Sequence, residues 1–342
     1  MNEEHGFLDT QLRMLRENHE GFRSLSLNLN RMEKDFSQQL AHWRESLFSF
    51  QVAQWLEVIR SNTTVDTVAV DLSVSANSIW KSEQLKALMA VIGSLPKLRK
   101  LVLRQNSLGE PRRIRPFDGI NAAIQEARLS LDSLELWGSE IVPGHEKPMQ
   151  ALLWAIEGCQ KLRSLKLFGF RLSHEHVISL APLLVLPHLT EFWLGNTSDG
   201  FLPIAKALQM TTSIKKLTLC FTDQLDDTNC LALAKMLQNN TTLQYFGLLN
   251  VSPSNKSSGL SSKCVTALIH MLQYNLTLQE LTTRGDPVDE IQLYVKLNRA
   301  GRQHLVHPMA TRDLWVNTLI SSRDDLDCSY CFLTMNPSIC FT

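Results

Sequence analysis

Apolar positions recur in this chain as L-x-x-L-x-L, and the unit returns along most of its length. It reads Leu98, Leu101, Leu103; Leu131, Leu134, Leu136; Leu162, Leu165, Leu167; and Leu189, Phe192, Leu194. It continues with Ile214, Leu217, Leu219; Leu243, Phe246, Leu248; and Leu278, Leu281, Thr283, with a valine-rich copy at Val65, Val68 and Val70. First positions are 33, 33, 31, 27, 25, 29 and 35 residues apart, a loose period of one strand plus one helix. Eight units follow.

Between these copies, Glu83 to Gly93, Lys147 to Cys159, His174 to Val185, Asp227 to Leu237 and Ser261 to Gln273 carry apolar residues at helical spacing. Each unit therefore predicts strand, loop, helix and turn. Neither half can bury its apolar face alone, so neighbours must stack, strands forming a parallel inner sheet and helices an outer layer. Strands ~4.8 Å apart beside helices that need ~10 Å must diverge, and the stack is expected to curve with the sheet inside.

The carriers NNTTLQYFGLL, CQKLRSLKLF and SLPKLRKLVLRQNSL resemble the ribonuclease-inhibitor-like class of leucine-rich-repeat proteins, the type also found in NOD-like receptors. The resemblance covers residues 62 to 298 and implies an α/β leucine-rich-repeat solenoid. Fold resemblance implies binding of proteins in general and names none, because this class is defined by its scaffold. One departure stands out: the Asn that usually follows the strand is present as Asn106, but later copies have Ser139, Phe170 and Thr197.

Residues 1–61 are read as a helical N-terminal cap, on Phe36, Leu40, Trp43, Leu47, Phe50, Trp55, Leu56 and Ile59 at helical spacing. Ser24 to Asn30 alternates as an edge strand would, and offers one more strand. Residues 299–342 are read as a helical C-terminal cap, with Thr311 as N-cap for Leu314, Trp315, Leu319 and Ile320 and a second helix over Asp324 to Met335.

Composition narrows the function classes. Lys plus Arg and Asp plus Glu number 34 each, so no single-sign field favours nucleic acid or an anionic membrane. No apolar run approaches a membrane span, and the acidic N-terminus lacks a signal-peptide core. A cytoplasmic protein is expected, with the nucleus as the second place and secretion excluded. Seven cysteines, odd and scattered, predict reduced thiols. Sequons stand at Asn62, Asn196, Asn239, Asn240, Asn255 and Asn275; Asn62, Asn239, Asn240 and Asn275 fall between helix and strand, where a left-handed Asn would end the helix.

Candidate chemistry is thin. Cys328-Ser-Tyr-Cys331, with Cys340, His304 and His307, has the two-residue gap of zinc or redox pairs, but no second CxxC exists and the plainer reading is core cysteines. His174 and His176 are two apart and diverge on a helix. Arg112, Arg113 and Arg115 read as a solvated basic loop. No GxSxG, HExxH, Walker or GxGxxG pattern occurs. No enzyme, cofactor or metal is expected.

Strand alternation sends the positions between the leucines, and the one after the last, to the concave side. Trp137, Phe168 and Trp193 come from three consecutive strands, with Tyr245 two strands on, and Arg104, Lys166, Glu191 and Arg284 around them. Grouped aromatics with flanking charge match a protein-binding hot spot. The alternative is that the rings pack down into gaps left by small residues. The expected function is a non-enzymatic scaffold that binds a partner protein on this face. Regulation of a GTPase or another enzyme through the same surface is a second reading, against which the missing acidic tail counts; a carrier for a Cys-based metal or redox site is a third.

Overall fold

A computed structural model describes residues 11, 13–30, 32, 44–72, 80–104, 116–138, 146–169, 174–195, 201–221, 226–250, 260–283, 288–306 and 310–335. The chain divides into two compact units, Met1–Leu189 and Thr190–Thr342. Both are built from the same alternation of parallel strand and helix.

The first unit runs β1 (Ser24–Asn28), α1 (Arg44–Ser61), β2 (Thr67–Asp71), α2 (Ser82–Gly93), β3 (Lys100–Arg104) and α3 (Pro116–Ala127). It goes on through β4 (Ser133–Trp137), α4 (Glu146–Glu157), β5 (Ser164–Phe168), α5 (His174–Leu180) and a 3-10 turn (Ala181–Val185). Strands β1 to β5 pair in chain order, all parallel and without slippage: Leu25, Val68, Leu101, Leu134 and Leu165 lie side by side, as do Leu27, Val70, Leu103, Leu136 and Leu167. All ten are buried. The register is fixed because a one-residue slip would turn this whole row to the other face. The alternating Ser24–Asn28 segment is thus a full strand, and the pattern starts ahead of Val65.

The second unit runs β6 (Glu191–Gly195), α6 (Leu202–Leu208), β7 (Lys216–Phe221), α7 (Asp227–Asn239), β8 (Tyr245–Asn250), α8 (Ser262–Tyr274) and β9 (Glu280–Thr283). Four helices follow: α9 (Asp289–Arg299), α10 (Arg302–Leu305), α11 (Arg312–Ser321) and α12 (Leu326–Met335). Strands β6 to β9 are parallel and in register, with Phe192, Leu217, Phe246 and Leu281 in one buried row.

Helix starts follow ordinary capping chemistry. Asp226 accepts from the Asn229 backbone, Ser261 from Cys264, and Thr311 from Leu314. Gly93 lets α2 approach α3, since a Cβ there would collide with the Ala123 carbonyl. Leu297, Leu305, Trp315, Cys328 and Phe332 form a small core of their own among the last helices.

The turns from helix to strand correct one expectation. Asn240 (φ −81°, ψ 125°) and Asn275 (φ −76°, ψ 118°) are extended, and Asn18 is the one non-glycine residue with positive φ among those described. Their side chains do the capping instead. The Asn240 Oδ1 accepts from the Thr242 and Leu243 amides at 3.0 and 2.8 Å, while its Nδ2 donates to Leu208 O at 3.1 Å. Asn275 repeats this, with Oδ1 on Thr277 and Leu278 and Nδ2 on Leu237 O and Asn240 O. Asn62 does the same in the first unit, reaching Leu15 O. An extended backbone aims the amide into the interior, which a left-handed one would not. Asn239, by contrast, ends α7 with an exposed side chain bonded to Lys235 O.

Among the described residues no strand follows β9. Asn298 donates to Asn275 O and Leu278 O, both at 2.9 Å, and the buried Arg302 donates to Leu272 O (2.5 Å) and Asn275 O (3.0 Å). Burial pushes the Arg302 guanidinium below its ordinary pKa, against the face of the Tyr294 ring, 5.1 Å away.

The cysteines correct a second expectation. Cys230 and Cys264 are joined as a disulfide, while Cys159, Cys220, Cys328 and Cys331 are free thiols. The two bonded residues fall at the first buried turns of α7 and α8, which brings their Cα atoms to 5.6 Å, inside the bridging range.

Candidate functional site

In the first unit the sheet face is laid out by register. Arg104, Trp137 and Phe168 are Cα partners across β3, β4 and β5, as are Val102, Glu135 and Lys166. The Trp137 and Phe168 rings stack with centroids 4.0 Å apart at 19°, and the Arg104 guanidinium lies 5.8 Å from the Trp137 centroid. Trp137 donates its indole N–H to Glu135 Oε1 at 2.6 Å, which fixes the ring across the strand. Trp137 is still 39% exposed to solvent. Backbone geometry holds the strand ends beneath it: Gly138 N donates to Phe168 O at 2.8 Å, and Gly169 (φ +72°) lies so close to the Gly138 carbonyl that a side chain would not fit.

In the second unit the rings lie lower. Trp193 is half-buried and donates its indole N–H to Cys220 Sγ at 3.0 Å. The Tyr245 hydroxyl and the Thr218 side chain lie 3.2 and 3.1 Å from where a Cβ on Gly247 would stand. Thr218 and Cys220 are buried although alternation aims them at the sheet face. Burial raises the Cys220 thiol above its ordinary pKa, and the bond from Trp193 offsets part of that rise. Glu191, Lys216, Tyr245 and Glu280 share one row across β6 to β9. Arg284 lies outside the described residues, as do Arg112, Arg113, Arg115, Asn106, Ser139, Phe170 and Thr197.

The other candidate chemistry disperses. Cys328 sits in the small core with Trp315 and Phe332, and burial, then the nearby Asp325 carboxylate, push its thiol up to about 11. Cys331 is one turn on and half-buried; His307 and Cys340 and the side chain of His304 are outside the described residues. Among the described residues no three His, Cys, Asp or Glu side chains are grouped to hold a metal ion. His174 and His176 open α5, and His176 is buried.

Two grooves lie between helices. One, about 750 Å³, separates α7 and α8 over Ala234, Ala267 and Met271, with Lys235, Lys263 and His270 at its edges and no carboxylate in its lining. The other, about 530 Å³, separates α3 and α4 beside Leu129 and Trp154, and Trp154 is 65% exposed. Neither brings an acid, a base and a nucleophile together. No helix among the described residues is long and apolar enough to cross a membrane.

These features define an α/β protein of repeating strand–helix units with parallel strands. No protein-family model matches the chain, and no curated protein matches it.

Some of what matters at this site carries no motif. Glu135 as the indole acceptor, and Cys220 and Gly247 as the gaps that take the second unit's rings, emerge only from register. The asparagine ties had a signal in plain sight, since Asn62, Asn240 and Asn275 stand three residues ahead of Val65, Leu243 and Leu278.

Proposed function

We propose that this chain is a leucine-rich-repeat solenoid of the ribonuclease-inhibitor-like class, cytoplasmic and non-enzymatic, that binds a partner protein on the concave face of its parallel sheet. Helices at the two ends seal the stack. The observation that carries this reading is the Arg104–Trp137–Phe168 row, an aromatic stack left open to solvent beside a guanidinium on a rigid strand surface. Tryptophan and arginine are the residues that dominate binding energy where they are preorganised, and here backbone pairing holds the stack before any partner arrives. Lys166 and Glu135 supply charge beside it. Glu191, Trp193 and Tyr245 offer a second surface on the other unit.

The test is quantitative capture from the native cell extract with three forms of the full chain: wild type, the double variant Trp137→Ala with Phe168→Ala, and Trp154→Ala on the helix face. Truncating a hot spot costs ~2 kcal/mol or more, so recovery of the true partner should fall about 30-fold in the double variant and hold in Trp154→Ala. A partner recovered equally by wild type and the double variant, and lost in Trp154→Ala, would move the binding surface to the helix side and refute this reading.

A further inference from the structure

The Cys230–Cys264 pair has no role in the surface just described, and corresponding places in other helices hold apolar side chains with no covalent link. Cys230 is the fourth residue of α7. The fourth residues of α2, α4 and α5 are Leu85, Met149 and Val177, each a buried apolar side chain packed without any covalent link. Cys230 and Cys264, at 1% and 2% exposure, occupy the same kind of place. A reduced cysteine behaves as a small hydrophobe, so two thiols fit here as well as one bridge does.

A second observation concerns the turns that close the repeats. Asn62, Asn240 and Asn275 each head an Asn-x-Thr sequon, and each buries the amide nitrogen that a glycan would occupy. Those nitrogens donate to Leu15 O, Leu208 O and Leu237 O across the stack. A chain carrying a sugar at any of them could not close these turns.

We propose that Cys230 and Cys264 form a reversible redox clasp that staples two successive repeats after folding. One cysteine thiolate attacks a low-molecular-weight disulfide of the glutathione type, R–S–S–R, and releases one R–S⁻. The second cysteine thiolate attacks the protein sulfur of that mixed disulfide and releases the other R–S⁻. Two thiol protons leave with the two released thiolates, the protein loses two electrons, and one R–S–S–R becomes two R–SH; a dithiol reductant runs the exchange backwards. Burial of both sulfurs makes the exchange wait on a local parting of α7 from α8, so the clasp responds slowly. Burial alone raises the Cys159 thiol to about 12, and burial first, then Asp325, raises Cys328 to about 11.

The test uses the native full-length chain in buffers stepped from reduced to oxidised glutathione and back. Free thiols are alkylated after quenching in denaturant, and the Cys230–Cys264 linkage is quantified by mass spectrometry alongside thermal melting. The linkage should rise and fall reversibly, and closing a loop of this separation should raise the melting temperature of the second unit by about 5 to 10 °C. A double variant, Cys230→Ala with Cys264→Ala, should melt at one temperature in both buffers. Two results overturn the proposal: a linkage that never forms at the oxidised end, or one that dithiothreitol cannot open in the folded protein, which would make it a permanent brace. A melting shift that persists in the double variant would assign the response to other cysteines, and overturns it equally.

Discussion

The two units close the same turn in two ways. At Asn240 and Asn275 in the second unit, the amide of the leucine three residues on donates to the asparagine side chain. At Leu95, Cys159 and Leu186 in the first, the corresponding amide donates to the backbone carbonyl of the residue at that place, at 3.1, 3.4 and 3.2 Å. One solution needs a particular side chain and ties the turn to the preceding repeat. The other closes on itself and accepts leucine or cysteine, with no asparagine side chain tying it to the preceding repeat. Asn62 shows that the first unit can also use the side-chain form. Regularity of the strands therefore hides a local choice, made turn by turn, between a polar tie and an apolar plug.

The strongest way to break this comparison is Asn275→Leu. The substitution removes two donations, to Leu237 O and Asn240 O, and leaves the Thr277 and Leu278 amides to find new acceptors inside the protein. Unsatisfied buried groups cost about 1–3 kcal/mol each, so denaturant unfolding should report a loss of about 3 kcal/mol for the second unit. Cys159→Ala, at the same place in a self-closing turn, should cost only about 1 kcal/mol, the value of a small buried side chain. Equal losses would mean that the asparagines are plugs like the others.

A charged version of the side-chain closure sharpens the point. At the start of α12 the Asp325 carboxylate accepts from the Cys328 amide at 3.1 Å and pairs with Lys296 of α9 at 2.8 Å. Lys296, then the Cys328 amide, hold Asp325 below the ordinary carboxylate range, and Asp325 in turn raises Lys296. The sign follows from linkage: a carboxylate with a depressed folded pKa stabilises fully above its unfolded value, and that contribution is lost as pH falls through the folded one. Protection of the α12 amides, taken relative to their intrinsic exchange rate at each pH, should therefore fall on acidification from the ordinary carboxylate range downward. Lys296 is half exposed and Asp325 partly so, and solvent screening keeps the effect small. The Asp325→Asn variant should be flat over the same window, as the neutral Asn240 and Asn275 turns are.

Much of this architecture was legible in the sequence because leucine spacing reports burial directly. Each L-x-x-L-x-L copy places its second and third positions in a strand, and Thr311 caps its helix as its position ahead of an apolar run indicates. What was not legible depends on neighbours far along the chain. Asn240 could be seen to end a helix, but its conformation is set by a carbonyl 32 residues away. Cys230 and Cys264 stand 34 apart, and only the stacking of α7 on α8 makes them partners. The aromatic residues of the candidate surface split for the same reason: Trp137 has a stacked neighbour that holds it up, whereas Trp193 has a small thiol that lets it down.

The smallest expected effect lies one residue ahead of each strand. In the first unit these positions read Arg23, Asp66, Arg99, Asp132 and Arg163, an alternation of charge in which Arg23 meets Asp66 at 3.6 Å and Arg99 meets Asp132 at 3.8 Å. Each carbonyl from Arg23 to Asp132 also accepts two amides from the next repeat, such as Arg99 N and Lys100 N on Asp66 O. In the second unit the same place holds Thr190, Lys215, Gln244 and Gln279, and the paired amides persist without the alternation of charge. The backbone bonds are thus the common device, and the charges are an addition where asparagine ties are scarce. Arg99→Asp would set three carboxylates in a row. The pairs are solvent-exposed, so the loss should stay below ~1 kcal/mol and vanish as salt shortens the Debye length toward ~3 Å at 1 M. A loss that survives 1 M salt would show that Arg99 acts by packing its stem against the strand, and the alternation would then carry no electrostatic weight.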